Sequence, residues 1–137
     1  MQIREPSTGW TAWITPGGGA EADEGPEETL RRELFEETGL ETFEIGPQIW
    51  FRDHTAPWEG KIYRQIEAMH LVFVARFEPT FENQPLGPED RAFRAFRWWR
   101  LDEIERSDEV FVPRRLGEFL RLLTEAGIPA EPIDVGK

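Results

Sequence analysis

Three glutamates on one predicted helix are the residues of this chain best suited to chemistry. A proline at the first position and Gly39 after the last turn predict a helix over residues 26–38. At about 100° per residue, Glu33, Glu36 and Glu37 fall within an arc of roughly 100°. Carboxylates on one face repel one another unless a cation lies among them, and Mg²⁺ or Mn²⁺ favours such oxygen ligands. A solvated acidic helix face is the alternative, because many charge runs are no more than that.

The loop before this helix extends the pattern. Five residues separate Gly18 from Glu24, and seven residues separate Glu24 from Arg32. Arg32 begins the run RELFEETGL, which ends at Leu40. This arrangement resembles, position by position, the signature of the Nudix hydrolases, G-x5-E-x7-R-E-U-x-E-E-x-G-U, in which U is aliphatic. We call residues 18–40 the Nudix box. The resemblance implies an α/β/α sandwich, in which a mixed β-sheet is flanked by the box helix and a C-terminal helix, and an enzyme that hydrolyses a pyrophosphate bond.

The resemblance also implies a metal site. Glu33, Glu36 and Glu37 would bind Mg²⁺, or Mn²⁺, with the carbonyl of Gly17 as a backbone ligand. The ion would bridge phosphate oxygens, lower the pKa of a water and neutralise the charge that develops. Glu24 would brace the loop.

Two residues are candidates for the base that accepts the proton of the attacking water. Glu33 is one, with Arg32 holding it in place, and Glu89 is the other. Relatives often supply a glutamate from the loop ahead of a tryptophan strand, and Glu89 lies in that position. Asp90 and Glu82 compete with it, and an ordinary solvated loop acid is the alternative.

Substrate contacts are expected from residues downstream of the box. Arg52 and Arg64 suit phosphate or ribose, because a guanidinium matches phosphate oxygens in a fork. Glu67 interrupts an apolar run and could point into the cleft. Trp58 could stack on a nucleotide base. Surface charge for the arginines, a solvent-facing position for Glu67 and hairpin packing for Trp58 are the alternatives.

One proline bears on the substrate class. Pro57 lies near the position where ADP-ribose-cleaving members carry a proline, although the spacing is not a clean match. ADP-ribose or a nucleotide sugar is therefore placed ahead of a nucleoside triphosphate. A nucleotide sensor without turnover is the alternative function, against which the three intact box glutamates argue.

Composition limits the class of protein. The chain has 137 residues, and we expect a single domain over residues 1–137. Its formal net charge of −11 argues against a nucleic acid polymer as partner, because phosphate backbones need a basic surface. The absence of cysteine fits a reducing cytoplasm, and no apolar run approaches the ~20 residues of a membrane span. The expected partner is a small nucleotide.

The remaining elements are predicted from periodicity and turn residues. Residues 2–5 are interpreted as the remnant of a shortened N-terminal strand, either because the chain begins at an internal start or because a partner chain completes the sheet in a homodimer. The apolar stripe of the C-terminal helix is assigned to core packing. The predicted strands are 10–15, 42–52, 63–77 and 93–100, with a hairpin loop over 53–61, a short helix at 101–105, a C-terminal helix at about 113–126 and a surface tail after it.

Overall fold

The computed structural model describes residues 1–85 and 92–136. Within them it is an α/β protein, as predicted, with three helices and two sheets that are each mixed. None of these helices is long and apolar enough to cross a membrane. The elements are β1 (Gln2–Arg4), β2 (Thr11–Ile14), α1 (Pro26–Thr38), β3 (Glu44–Trp58), β4 (Lys61–Phe73), β5 (Phe93–Ala95), α2 (Leu101–Arg106), β6 (Phe111–Val112), α3 (Leu116–Ala126) and β7 (Ile133–Asp134).

The four-stranded sheet has the order β5-β1-β2-β6 and leads into the box. β1 is antiparallel to both β2 and β5, while β2 runs parallel to β6. The expected N-terminal remnant is therefore present as β1, but it is paired on both sides and leaves no open edge. β2 ends at Ile14, directly before the glycine-rich loop of the box.

The three-stranded sheet has the order β4-β3-β7 and is built on one long hairpin. The predicted hairpin loop over residues 53–61 is wrong, because β3 continues to Trp58 and β4 starts at Lys61. Only Glu59 and Gly60 form the turn, both with positive φ (46° and 76°), as a type I′ hairpin turn requires. Pro57 does not end the strand.

The C-terminal tail is part of this sheet. The expectation of a surface segment is wrong for β7, which pairs in parallel with Trp50 and Phe51 of β3. The N–H of Val135 donates to the carbonyl of Phe51 at 2.9 Å, and Val135 is 3% exposed. Val135 forms a buried cluster with Ile49 and Trp50. The stripe of α3 packs against it as predicted, through Leu116, Phe119, Leu120 and Leu123.

α1 has the predicted bounds, and its ends explain why. Pro26 takes the first helical position, where its missing N–H costs nothing. Gly39 adopts the left-handed conformation at φ 76°, and its N–H donates to the carbonyl of Phe35 at 2.9 Å. These two end signals define a helix that contains all three box glutamates.

A buried glutamate joins the tip of the hairpin to the turn after β1. Glu5 is 4% exposed and accepts the N–H of Glu59 at 2.8 Å and the N–H of Thr8 at 2.6 Å. The hydroxyls of Thr8 and Ser7 also donate to it. These donors, above all the Thr8 side chain, lower the pKa of Glu5 to about 2 although its desolvation acts to raise it.

Candidate active site

Arg32 binds several groups of the Nudix box at once. Its Nε and Nη2 donate to the two carboxylate oxygens of Glu24 at 2.6 and 2.9 Å. Nη1 donates to Glu33 at 2.8 Å and to Glu36 at 3.3 Å, and Nη2 also reaches the carbonyl of Gly19 at 2.9 Å. One guanidinium therefore orients three box carboxylates and ties the glycine loop to α1, because its planar fork can serve several acceptors at once.

Glu24 links the loop to the helix. Its pKa is lowered to about 2, chiefly by the hydrogen bonds from Arg32 and also by the N–H of Glu21 and the hydroxyl of Thr29. All of its hydrogen-bond partners in the described residues lie in the loop or in α1. The contacts of Glu24 thus join the loop to α1.

The carboxylate of Glu33 lies against a glycine that leaves room for it. A Cβ added at Gly18 would lie 2.4 Å from the Glu33 carboxyl carbon. Any side chain at Gly18 would therefore displace the carboxylate. Burial raises the pKa of Glu33, although Arg32 acts to lower it.

Glu37 is the most buried of the three helix-face glutamates, at 8% exposure. Its Oε2 accepts the N–H of Gly17 at 2.7 Å. Burial raises the pKa of Glu37 to about 8, and the neighbouring charges of Glu33 and Glu36 act in the same direction. The backbone of Gly17 thus contacts Glu37 through its N–H, whereas the sequence predicts a role for its carbonyl.

The donor chemistry of this cluster fits a hard divalent cation, although the carboxylates are not gathered around one point. Across residues 1–85 and 92–136, no group of three His, Asp or Glu side chains lies as metal ligands would. Nη1 of Arg32 binds Glu33 and Glu36, whereas Glu37 accepts the N–H of Gly17. Glu33 and Glu37 are desolvated carboxylates with raised pKa values, and a cation would relieve that cost with oxygen ligands.

A second polar cluster lies on the long hairpin. Arg52, which is 8% exposed, donates through Nε and Nη2 to both oxygens of Glu67, its cross-strand partner in the register. Nε2 of His54 lies 3.2 Å from Glu67 Oε1. Burial acts to raise the pKa of Glu67, but Arg52 and His54 hold it below its usual value. Two of the predicted substrate residues are thus brought together, and His54 joins them.

The other two predicted substrate residues lie apart from this cluster. Arg64 is exposed and binds Asp53, with Nε 2.9 Å from Oδ1. Because strand side chains alternate, Arg64 lies on the sheet face opposite Arg52. Trp58 is half-buried at the end of β3, on the same face as Arg52. In the described residues no hydrogen bond or ion pair joins any of these side chains to the box cluster.

The candidates for the outside glutamate are only partly described. Glu89 and Asp90 lie outside the described residues. Glu82 is exposed, and its N–H donates to the Thr80 hydroxyl at 3.2 Å.

Sequence reasoning did not find two polar contacts. The place of His54 beside Glu67 depends on the pairing of β3 with β4, and its one sequence signal is the two-residue spacing from Arg52, which puts both on one strand face. Burial of Glu5 has no periodic signal, because its partners come from a local turn and from a hairpin tip 54 residues away.

Comparison with known proteins shows which family the chain resembles. The NUDIX domain model matches residues 1–123. The chain is 29% identical over 107 residues to an RNA pyrophosphohydrolase of Cereibacter sphaeroides, and the aligned region covers 68% of this chain and 62% of the relative. It is 33% identical over 96 residues to an RNA pyrophosphohydrolase of Helicobacter pylori, covering 68% and 61%. It is 30% identical over 115 residues to the phosphatase NudJ of Shigella boydii, covering 82% and 67%.

The chain spans less than two thirds of the length of those RNA pyrophosphohydrolases. No solved structure matches it significantly. The family match covers most of the chain and includes the whole loop and helix that Arg32 ties together. This protein belongs to the Nudix family.

Proposed function

We propose that this protein hydrolyses a pyrophosphate bond in a nucleotide-derived substrate and that it requires Mg²⁺ or Mn²⁺. The observation that carries the proposal is the contact of one guanidinium, that of Arg32, with Glu24, Glu33 and Glu36. A solvated acidic helix face needs no such contact and no glycine cradle for a carboxylate. Positioned carboxylates are what an enzyme needs to hold a cation and a water in fixed geometry.

Glu33, Glu36 and Glu37 would hold the cation, with Gly17 at the edge of the site. When bound there, it would neutralise charge on the phosphate oxygens and lower the pKa of a water. Glu37 depends most on such a cation, because it is buried and its pKa is raised to about 8. Arg32 would keep Glu33 and Glu36 aimed at the site.

Glu33 is the best-supported base in the described residues. Its carboxylate lies in the space that Gly18 leaves free, and a base needs such a fixed position within reach of the proton that it accepts. Arg32 donates to Glu33 Oε1 at 2.8 Å and fixes its orientation. Glu89 remains the second proposed base, on the ground of its position ahead of the tryptophan strand.

Arg52, Glu67 and Trp58 are proposed to contact the substrate from one face of the hairpin. Glu67 holds the guanidinium of Arg52, whose five donors suit phosphate or ribose oxygens. Trp58 on the same face offers an aromatic surface for a base. Arg64 lies on the opposite face and would contact the substrate only if the substrate extends around the edge of the hairpin.

ADP-ribose or a nucleotide sugar is the proposed substrate class, ahead of a nucleoside triphosphate. The 5′ end of an RNA is a second candidate, which the names of the relatives from C. sphaeroides and H. pylori favour. The net charge of −11 disfavours a long RNA, because few phosphates could be neutralised. Binding without turnover, as in a sensor, is the outcome that the box geometry disfavours.

Phosphate release across a nucleotide panel tests this proposal. The panel contains ADP-ribose, nucleotide sugars, nucleoside triphosphates and a 5′-triphosphorylated RNA, each with Mg²⁺ or Mn²⁺ and a coupling phosphatase or pyrophosphatase. We expect Glu36→Gln and Glu37→Gln to lower the rate by on the order of 100-fold or more, because each removes a proposed ligand. Glu27→Gln is the matched control, since Glu27 lies on α1 and, among the described residues, binds only the exposed Arg31. Tight binding of one compound without turnover of any would replace hydrolysis by sensing.

A further inference from the structure

β4 is the edge strand of the three-stranded sheet. In the described part of the chain, the order β4-β3-β7 gives this 13-residue strand a partner on one side only. Natural edge strands are usually short, or carry proline, lysine or a bulge that blocks further pairing. From Ile62 to Phe73 the strand contains no proline, glycine or lysine. Its pairing with β3 is regular between Trp50 and Trp58. The open side of β4 is therefore a regular template for another strand from Lys61 to Met69, whereas the pairing with β3 is irregular beyond Met69.

The first half of β4 is exposed on both faces. Every residue from Lys61 to Ile66 is exposed, and the two isoleucines, Ile62 and Ile66, are 78% and 73% exposed. Arg64 lies between them on the same face and is neutralised by Asp53 at the neighbouring strand. Such solvent contact is unfavourable for two branched apolar side chains four residues apart, and a partner strand would reduce it.

The turn fixes which backbone groups point to the open side. The two-residue turn closes on the pair Trp58 and Lys61. In a hairpin of this type the closing pair is hydrogen-bonded, and hydrogen-bonded and non-hydrogen-bonded pairs then alternate. Odd-numbered residues from Lys61 to Met69 therefore bond to β3. The N–H and C=O groups of Ile62, Arg64 and Ile66 therefore face the open side.

We propose that β4 pairs antiparallel with β4 of a second copy of this chain, about a two-fold axis at Arg64. In this register Ile62 of one protomer lies opposite Ile66 of the other, and the symmetry repeats that contact. No other two-fold centre on β4 places isoleucine opposite isoleucine twice. The pairing joins two three-stranded sheets into one continuous sheet and satisfies the outward backbone groups.

Charge complementarity favours the same register. Lys61 of one protomer lies opposite Glu67 of the other on the second face, and this contact also occurs twice. Glu67 binds Arg52 within its own chain, so Lys61 would join an existing ion pair there. Arg64 lies opposite itself, which alone would be unfavourable. Each Arg64 carries its own Asp53, however, so the centre holds two cations and two anions. A second copy therefore meets β4 with complementary backbone, apolar and charged groups.

A charge-exchange pair of variants tests the dimer and its register. The lysine variant carries Ile62→Lys and Ile66→Lys, and the glutamate variant carries Ile62→Glu and Ile66→Glu. Like charges then lie opposite each other in either homodimer, so we expect its dissociation constant to rise by at least about tenfold. An equal mixture places opposite charges there and should recover the dimer. Ile128→Lys, at a site 53% exposed beyond α3, is the control that should leave the dimer unchanged.

Sedimentation velocity over a concentration series measures the association, and circular dichroism verifies that each variant is folded. The expected results are a wild-type dimer, two variants that are monomeric alone, and a dimer on mixing. A wild-type monomer at every concentration, or a dimer that persists in both variants, would overturn the proposal. Failure of the mixture to recover the dimer would overturn the register centred on Arg64.

Discussion

Gly18→Ala is the substitution that best separates the chemistry of the box from its fold. An alanine Cβ at this position would lie 2.4 Å from the carboxyl carbon of Glu33. Carbon atoms in contact lie about 3.5 Å apart, so the carboxylate must move by roughly 1 Å. The moving group is the end of a flexible side chain, and Gly18 is not among the glycines with positive φ. Alanine therefore fits the backbone and displaces only the carboxylate.

The two consequences of this displacement differ in size. A change that strains no backbone and fills no core, but displaces a carboxylate bound by Arg32, should alter the free energy of unfolding by about 1 kcal/mol. Misplacement of a reacting group by about 1 Å can lower a rate by roughly 100-fold. At 1.36 kcal/mol for each factor of ten, that loss corresponds to about 2.7 kcal/mol of transition-state stabilisation. We therefore expect Gly18→Ala to be folded and nearly inactive.

Gly19→Ala is the matched control for this prediction. A Cβ at Gly19 meets nothing within 4 Å in the described part of the chain, so the same chemical change there should leave the rate unchanged. The measurements are kcat by phosphate release, with the substrate that the panel identifies, and thermal melting of both variants. Equal rates for Gly18→Ala and Gly19→Ala would refute the role given to the Glu33 carboxylate. Unfolding of Gly18→Ala would refute the claim that only the side chain must move.

Three further substitutions test other parts of the structure. Arg32→Lys should lower kcat by about tenfold or more, because a lysine cannot serve several carboxylates with a planar fork, and a wild-type rate would contradict this. Glu5→Gln should destabilise the protein at neutral pH. The pKa of Glu5 is depressed from 4.5 to about 2 in the folded state, so its contribution is present above pH 4.5 and is lost as the pH falls through about 2. Urea unfolding of wild type and Glu5→Gln should therefore converge toward pH 2, and a constant difference would show that the carboxylate charge is not responsible. Ile49→Ala should lower the free energy of unfolding by about 2–5 kcal/mol, because Ile49 is 3% exposed, and a loss below about 1 kcal/mol would contradict its place in the core.

The elements that the sequence predicts well carry local signals. α1 begins at a proline and ends at Gly39, and both signals act within the helix itself. The hairpin is longer than predicted, because Pro57 and Gly60 resemble a loop, whereas the turn needs only Glu59 and Gly60. β7 is two residues long, too short for a periodic pattern, and it exists because β3 offers it a pairing edge. In both cases the pairing of strands with β3, and not a local signal, sets the observed structure.

The candidate site shows the same division. Spacing within one helix predicts that Glu33, Glu36 and Glu37 share a region, because helix geometry is fixed. Spacing does not show that Arg32 binds Glu24 and the carbonyl of Gly19, since those contacts depend on how the glycine loop folds back over the helix. The pairing of Arg52 with its cross-strand glutamate likewise depends on strand register, which no local pattern determines.

The central claim is that the box carboxylates form a divalent-metal site, and Mn²⁺ binding tests it most directly. Loss of the free-ion electron paramagnetic resonance signal measures binding by wild type, Glu37→Gln and Glu27→Gln without need of a substrate. We predict that wild type and Glu27→Gln bind Mn²⁺ with the same affinity, and that Glu37→Gln binds it at least about tenfold more weakly, because it loses a charged ligand. Equal binding by all three proteins, or no binding by wild type, would contradict the claim.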